Sequence, residues 1–226
     1  MRPRGLVVAI DGPSGAGKST AGRALARRLG YAFIDTGAMY RALAWKAIEA
    51  GADVDSEAEV AELARSMAFE FVGESGVRLD GVDVTDRIRT REVSVAASRV
   101  SRHPAVRRAL VERQRELGRA GGVVLDGRDI GTAVFPDAEL KFFVDADPRR
   151  RAARRHAELK ARGVEADLEA IERDTVERDR ADRTRADSPL VRAPDAVLLD
   201  TTALAPEQVV ERMEVEASAR RASLTT

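Results

Sequence analysis

Apolar residues gather in short runs along this chain, and the runs come in two kinds. Residues 6–10 (Leu6, Val7, Val8, Ala9, Ile10) form an unbroken apolar stretch. A stretch without polar alternation predicts a strand covered on both faces. A glycine-rich segment follows at 12–17, and residues 19–29 predict a helix with Ala24, Leu25 and Leu29 on one face, stopped by Gly30. Residues 32–34 predict a second strand, and 39–50 a second helix ending at Gly51. Further buried-strand runs occur at 123–125, 140–144 and 196–199. Helices are expected over 56–68, 104–120, 148–163, 165–183 and 206–221. Ser56 is the expected N-cap of the first of these, with Glu59 as its capping-box partner. Asp147 is the expected N-cap ahead of Pro148. Five parallel strands interleaved with helices give a three-layer α/β core. Between 69 and 84 the period drops to two, in segments 69–72, 77–79 and 82–84. Asp80-Gly81 between alternating runs is a hairpin signal. A small antiparallel meander is therefore expected as part of an inserted α+β subdomain.

Composition narrows the function. The 226 residues are 44% apolar and 34% charged, the range of a globular protein. Basic and acidic residues are equal at 38 each, which argues against nucleic acid or a membrane surface as partner. A local basic site remains compatible with that balance. Cysteine is absent, which excludes disulfides, thiolate metal sites and a thiol nucleophile. His103 and His156 lie far apart, against a histidine-rich metal centre. No apolar run reaches a membrane-spanning length, and the run after Arg2 and Arg4 is too short for a signal peptide. A cytoplasmic monomer is the expectation. Arginine outnumbers lysine by 34 to 4 and asparagine is absent, as a thermophilic source or a GC-rich genome would each produce.

The chemistry begins at the first loop. Gly12, Pro13, Ser14, Gly15, Ala16, Gly17, Lys18 and Ser19 fit G-x-x-x-x-G-K-[ST], between a predicted strand and a predicted helix. Glycines let successive N–H groups turn inward on phosphate oxygens, and the helix start adds its positive end. Lys18 is placed for the β- and γ-phosphates, and the Ser19 hydroxyl, with Thr20 alongside, for Mg²⁺. The loop does not choose among kinase, GTPase and motor ATPase. A guanine-reading N-K-x-D motif is impossible without asparagine. Asp126 ends the strand run at 123–125 but is followed by Gly127 and Arg128, not by a catalytic glutamate. It is a candidate magnesium-side carboxylate, acting directly or through water, and is also readable as a strand-end turn residue.

Transfer to a phosphate acceptor brings two anions together, so several guanidinium groups are expected at the C-terminal edge of the sheet. Arg41 and Arg128 follow predicted strands. Arg178, Asp182 and Arg185 are spaced i, i+4, i+7, so one helix face is expected to carry all three. The same stretch reads equally as a solvated, salt-bridged helix. The arginines of 149–155 are candidates for a mobile lid over the donor phosphates, or for an exposed basic helix.

Together the segments 12–20, 35–41 (Asp35, Thr36, Gly37, Ala38, Met39, Tyr40, Arg41), 126–132 and 178–185 resemble the bacterial cytidylate kinases, over nearly the whole chain and in the same order. The resemblance implies a P-loop kinase core, a monophosphate-binding insert at about 37–105, a lid at about 149–165, and transfer from MgATP to CMP or dCMP. It implies residues 12–20 as the ATP loop. Arg41, Arg128 and Arg185 become the CMP phosphate clamp, with Lys18 and Asp126 completing the catalytic set. Arg178 and Asp182 become ribose contacts, and Ser98, Arg107 and Asp129 cytosine readers. A carboxylate suits the cytosine N4 amine, and donors suit O2 and N3. Thr36 stands where some relatives have serine; the hydroxyl survives with an extra methyl. Alternatives are another small-acceptor kinase, such as an adenylate, thymidylate or shikimate kinase, or an ATP-binding switch module without an acceptor.

Overall fold

The fold is that of a computed structural model, in which residues 2–73, 75–161 and 163–225 are described. The chain runs through β1 (Val7–Asp11), α1 (Lys18–Leu29), β2 (Ala32–Asp35), α2 (Thr36–Glu49), α3 (Glu57–Ser66), β3 (Phe69–Val72), β4 (Gly76–Leu79) and β5 (Val82–Asp83). A 3₁₀ turn (Arg87–Arg89), α4 (Arg91–Val100) and α5 (Pro104–Gly118) follow. Then come β6 (Val123–Gly127), a π-helical turn (Ile130–Val134), β7 (Leu140–Asp145), α6 (Pro148–Ala161), α7 (Leu168–Thr184), β8 (Val197–Asp200) and α8 (Pro206–Thr225). Two compact units result, one of Met1–Phe33 with Ala120–Thr226, the other of Ile34–Arg119.

The first unit is built on the five-stranded parallel sheet, in the order β2-β6-β1-β7-β8. β1 is central, pairing Val7 with Val123 on one side and Val8 with Leu140 on the other. All five of its residues are buried, the four apolar ones as the unbroken run requires and Asp11 with them. Val8, Ile10, Phe142, Val144 and Leu199 share a core with Leu25 of α1 and with Val209, Val210 and Met213 of α8. Each such side chain contributes about 1.5–3 kcal/mol on burial.

The second unit holds the expected meander, in the order β3-β4-β5 and antiparallel, with Asp80 and Gly81 at positive φ in the hairpin. Met39 and Leu43 of α2 pack with Val60, Leu79, Ile88, Val100 and Leu110 in its own core.

Several boundaries differ from expectation for local reasons. α2 starts at Thr36 rather than 39, because the Asp35 carboxylate accepts the Ala38 N–H at 2.8 Å and caps it. The Ser56–Glu59 capping box does not form: Ser56 makes no side-chain cap bond, and Glu59 instead accepts the Asp53 N–H at 3.1 Å. α7 starts at Leu168 because Asp167 caps it through Glu169 and Ala170. Asp147 does accept the Arg149 and Arg150 N–H groups, at 3.0 and 3.1 Å. Glu74 in the expected meander turn and Arg162 in the expected lid lie outside the described residues.

Candidate active site

The loop between β1 and α1 depends on backbone that only glycine supplies. Gly12 has φ 145°, and a Cβ there would stand 1.9 Å from the Val144 carbonyl oxygen. Gly17 takes the left-handed N-cap position of α1 at φ 94°, and no side chain caps that helix. The first N–H groups of α1 thus lie at its start without a side-chain cap. Lys18 is 6% exposed, and its Nζ donates to the Pro13 carbonyl at 2.7 Å across the loop. Burial, and then the positive charge of Arg128, push its ammonium down to about 7.

Asp126, at the end of β6, is buried and accepts the Ser19 hydroxyl at 2.5 Å. A hydroxyl and a carboxylate oxygen in contact are a hard-oxygen pair of the type Mg²⁺ takes. Among the described residues there is no group of three or more His, Cys, Asp or Glu placed to hold a metal ion. A cation at this pair would draw its remaining ligands from phosphate and water.

Around the same strand ends sits a network of arginines and aspartates. Arg128 donates from Nε to Asp182 at 2.7 Å and from Nη1 to the Gly127 carbonyl at 3.2 Å. Burial works against the Arg128 charge, but Asp182, Asp126 and Asp179 outweigh it and raise its pKa. Burial likewise opposes the Asp182 charge, and Arg128, Arg178 and Arg185 hold its carboxyl below the usual range.

Arg185 departs from expectation. It is the C-cap of α7, with ψ 134°, and so does not continue the face of Arg178 and Asp182. The chain folds back there: Leu190 donates its N–H to the Asp182 carbonyl at 2.8 Å. Arg185 donates to the carbonyls of Asp187 and Ser188, and its Nη2 stands 4.0 Å from Asp129. The turn thus brings Arg185 to Asp129 by a route that helical spacing does not foresee.

The arginines of α6 divide by face. Arg149, Arg150 and Arg155 are exposed, while Arg151 is buried and Arg154 half-buried. Arg151 donates to the carbonyls of Ala146 and Ser14 and binds Asp179 through both nitrogens, at 3.1 and 2.6 Å. Arg154 donates to Thr201, whose hydroxyl in turn donates to the Ala16 carbonyl at 2.9 Å. Asp179 and Thr201 were not expected from sequence. Asp179 hides within a run of mixed charge, and Thr201 follows a strand with no motif around it.

The second unit carries the remaining expected residues. Arg41 is paired with Asp35 at 3.0 Å, and Thr36 is buried at the start of α2. Arg107, on α5 and 3% exposed, donates to the Ser101 carbonyl at 3.4 Å and lies 5.9 Å from the Tyr40 ring centroid. The Ser101 hydroxyl donates to the Ser98 carbonyl at 3.0 Å, so Ser98 and Arg107 are joined through Ser101.

Comparison with known proteins is consistent across the chain. The cytidylate kinase family model matches residues 8–219. The chain is 51% identical to a cytidylate kinase of Syntrophotalea carbinolica, over 93% of this chain and 91% of the relative. It is 49% identical to a cytidylate kinase of Geobacillus kaustophilus, over 93% of this chain and 95% of that one. Among solved structures, a gluconokinase from Sinorhizobium meliloti 1021 superposes with a TM-score of 0.51 at 17% identity, covering 100% of this chain and 98% of that one. That last likeness is one of fold.

Proposed function

The chain belongs to the cytidylate kinase family, and from that premise we propose how its residues serve the reaction. The activity is transfer of the γ-phosphoryl group of ATP to CMP or dCMP, giving ADP and CDP or dCDP. Residues 12–20 hold the ATP phosphates. Arg41, Arg128 and Arg185 grip the acceptor phosphate, Arg178 and Asp182 the ribose, and Thr36 is a further CMP contact. Asp129, Arg107 and Ser98 read cytosine. The second unit supplies monophosphate recognition, and α6 serves as the lid over the donor. Ser19 and Asp126, the latter directly or through water, would hold Mg²⁺, which would supply charge neutralisation on the donor phosphates.

The supporting observation is the state of Lys18. Burial first, and then the like charge of Arg128, depress the Lys18 ammonium. Such an arrangement favours an anion, and the uncapped start of α1 opens on the same loop. The acceptor phosphate of CMP already carries an anionic oxygen near neutral pH, so attack on the γ-phosphorus needs no strong general base. Lys18 and the loop N–H groups orient the donor, and the guanidiniums neutralise charge between donor and acceptor. Bacterial relatives and balanced total charge support a cytoplasmic monomer acting on free nucleotides. No helix among the described residues is long and apolar enough to cross a membrane.

The test is ADP release measured with CMP, dCMP, UMP, AMP and dTMP supplied in turn. CMP and dCMP are expected to drive it. ADP formation indifferent to acceptor would point to an ATP-binding switch instead. Arg185→Ala should lower CMP-dependent turnover at least about a hundredfold, with ATP affinity little changed. Wild-type turnover in that variant would remove Arg185 from the clamp.

A further inference from the structure

Asp11, the last residue of β1, is a buried acid that the reaction above does not use. It is 4% exposed, and its charged neighbours are Asp129 and Lys18. Its two oxygens are both engaged. Oδ1 accepts the Ile130 N–H and Oδ2 the Gly131 N–H, each at 2.7 Å. These amides open the π-helical turn that follows Asp129.

The orphan N–H groups at a helical start are usually capped by the side chain of the residue just before it, and aspartate is among the best at this. That residue is Asp129, yet its side chain makes no cap bond. The cap comes instead from the neighbouring strand, where Asp11 pairs in register with Gly127. The Asp129 carboxylate is turned to other use and stands 4.0 Å from Arg185. The Asp129 backbone is meanwhile fixed from both sides. Its carbonyl accepts from Ala133 and Val134 at 2.8 and 3.2 Å, and the two amides after it are tied to Asp11. The fit is close: a Cβ on Gly131 would lie 3.4 Å from Asp11 Oδ2 and 3.0 Å from Lys141 Cδ.

We propose that Asp11 is a positioning residue for base recognition, capping the turn at Ile130 and Gly131 in place of Asp129 so that the Asp129 carboxylate is presented to the cytosine N4 amine. This rests on the reading of Asp129 as a cytosine reader. Asp11 adjoins Gly12, so the strand that enters the phosphate loop also sets the register of the base-reading carboxylate.

Asp11→Asn keeps the shape but turns an N–H₂ toward one of the two amides. Two donors then face each other, and the turn must shift. A buried carboxylate facing uracil O4 is what penalises UMP, so misplacing it erodes the preference. The readout is the ratio of kcat/KM for CMP to that for UMP, which a general loss of active enzyme does not move. Asp11→Asn is expected to lower the ratio at least about fivefold. The double variant Asp11→Asn/Asp129→Asn should show the same ratio as Asp129→Asn alone, because Asp11 acts through Asp129. Should Asp11→Asn not fold, Asp11→Ser sets no amide donor against the turn and carries the same expectation. If Asp129→Asn shifts the ratio while the Asp11 variants leave it at the wild-type value, the positioning role is overturned. An additive loss in the double variant overturns it too. If Asp129→Asn itself leaves the ratio unchanged, the cytosine-reader assignment falls, and the inference with it.

Discussion

The Arg151–Asp179 pair is the most sharply testable element of the first unit. Its side chains are 2% and 12% exposed, so neither charge has much access to water. Arg151 holds four acceptors: the carbonyls of Ala146 and Ser14 at 2.8 and 3.1 Å, and the two Asp179 oxygens at 3.1 and 2.6 Å. Asp179→Ala removes the only counter-charge among these and leaves a buried guanidinium facing two carbonyls. Breaking a buried pair this way costs about 3–5 kcal/mol, and the surviving carbonyl bonds place this case near 3. Asp179→Asn keeps one acceptor and should cost roughly half as much. Arg151→Met/Asp179→Leu removes both charges and their desolvation, so it should recover at least about half of the Asp179→Ala loss. Urea unfolding followed by far-UV circular dichroism, at unchanged m-value, measures each step. Asp179→Ala within about 1 kcal/mol of wild type would refute the account. So would a double variant no more stable than Asp179→Ala. Because Arg151 also holds the Ser14 carbonyl, Arg151→Met should weaken ATP binding several-fold, read by nucleotide titration.

Two further outcomes follow from the strand-to-loop junction. Gly12→Ala would drive a methyl into the Val144 carbonyl at 1.9 Å, at φ 145°. No rotamer relieves that contact, so soluble yield and cooperative melting should be lost, and a melt near the wild-type Tm would contradict the loop geometry. Burial pushes the Asp11 carboxyl up to about 7, from 3.8 in the unfolded chain. A raised folded-state pKa gives stability that is complete below about 4 and is lost as pH rises through about 7. Across that window the folded state holds a proton the unfolded state has released, a change of up to about 4 kcal/mol at 1.36 kcal/mol per unit. Asp11→Asn lacks this slope, so its deficit against wild type should shrink steadily from pH 4 to 7 in denaturant titrations. A constant deficit would show that Asp11 does not titrate there.

The core of the fold was legible because the central strands are buried on both faces and therefore read as unbroken apolar runs. The phosphate loop was legible because glycine, lysine and serine at fixed spacing have few other uses. Capping was less so: Asp35 and Asp167 start their helices through side-chain bonds, but Ser56, with an equally good local pattern, does not. Glu59 reaches back to the Asp53 N–H instead of serving Ser56, whose own N–H donates to the Asp53 carbonyl, and such a choice is made in three dimensions. α4 escaped because Val93 and Val95 alternate as a strand would, although Val93, Ala96, Ala97 and Val100 are the residues it buries. Arg185 could be named from sequence but not placed, since its position depends on the chain reversing at Ser188, which has φ 51°. Asp11 was invisible for the opposite reason. It stands one residue ahead of the loop motif and contacts amides nearly 120 positions away. Ser98, Arg107 and Asp129 have no common spacing, so resemblance alone could group them.

Equal totals of 38 acidic and 38 basic residues say little about the phosphate site, because its charges are balanced there one by one. Arg128 has Asp182, Arg151 has Asp179, and Arg185 stands near Asp129. Lys18 is different in kind. The hydrogen bond it makes is to a neutral carbonyl, with Asp126 and Asp11 acting only through space. This explains why the buried Lys18 and the half-buried Arg128 shift in opposite directions. Arg128 is raised by a carboxylate in contact, while Lys18 is lowered by desolvation and by Arg128 itself. The arginines are therefore held in place by the carboxylates beside them. The lysine carries the unmet electrostatic demand, and it lies in the loop where the donor phosphates are proposed to bind. An anion entering that loop would set an opposite charge beside the lysine and favour its ammonium form.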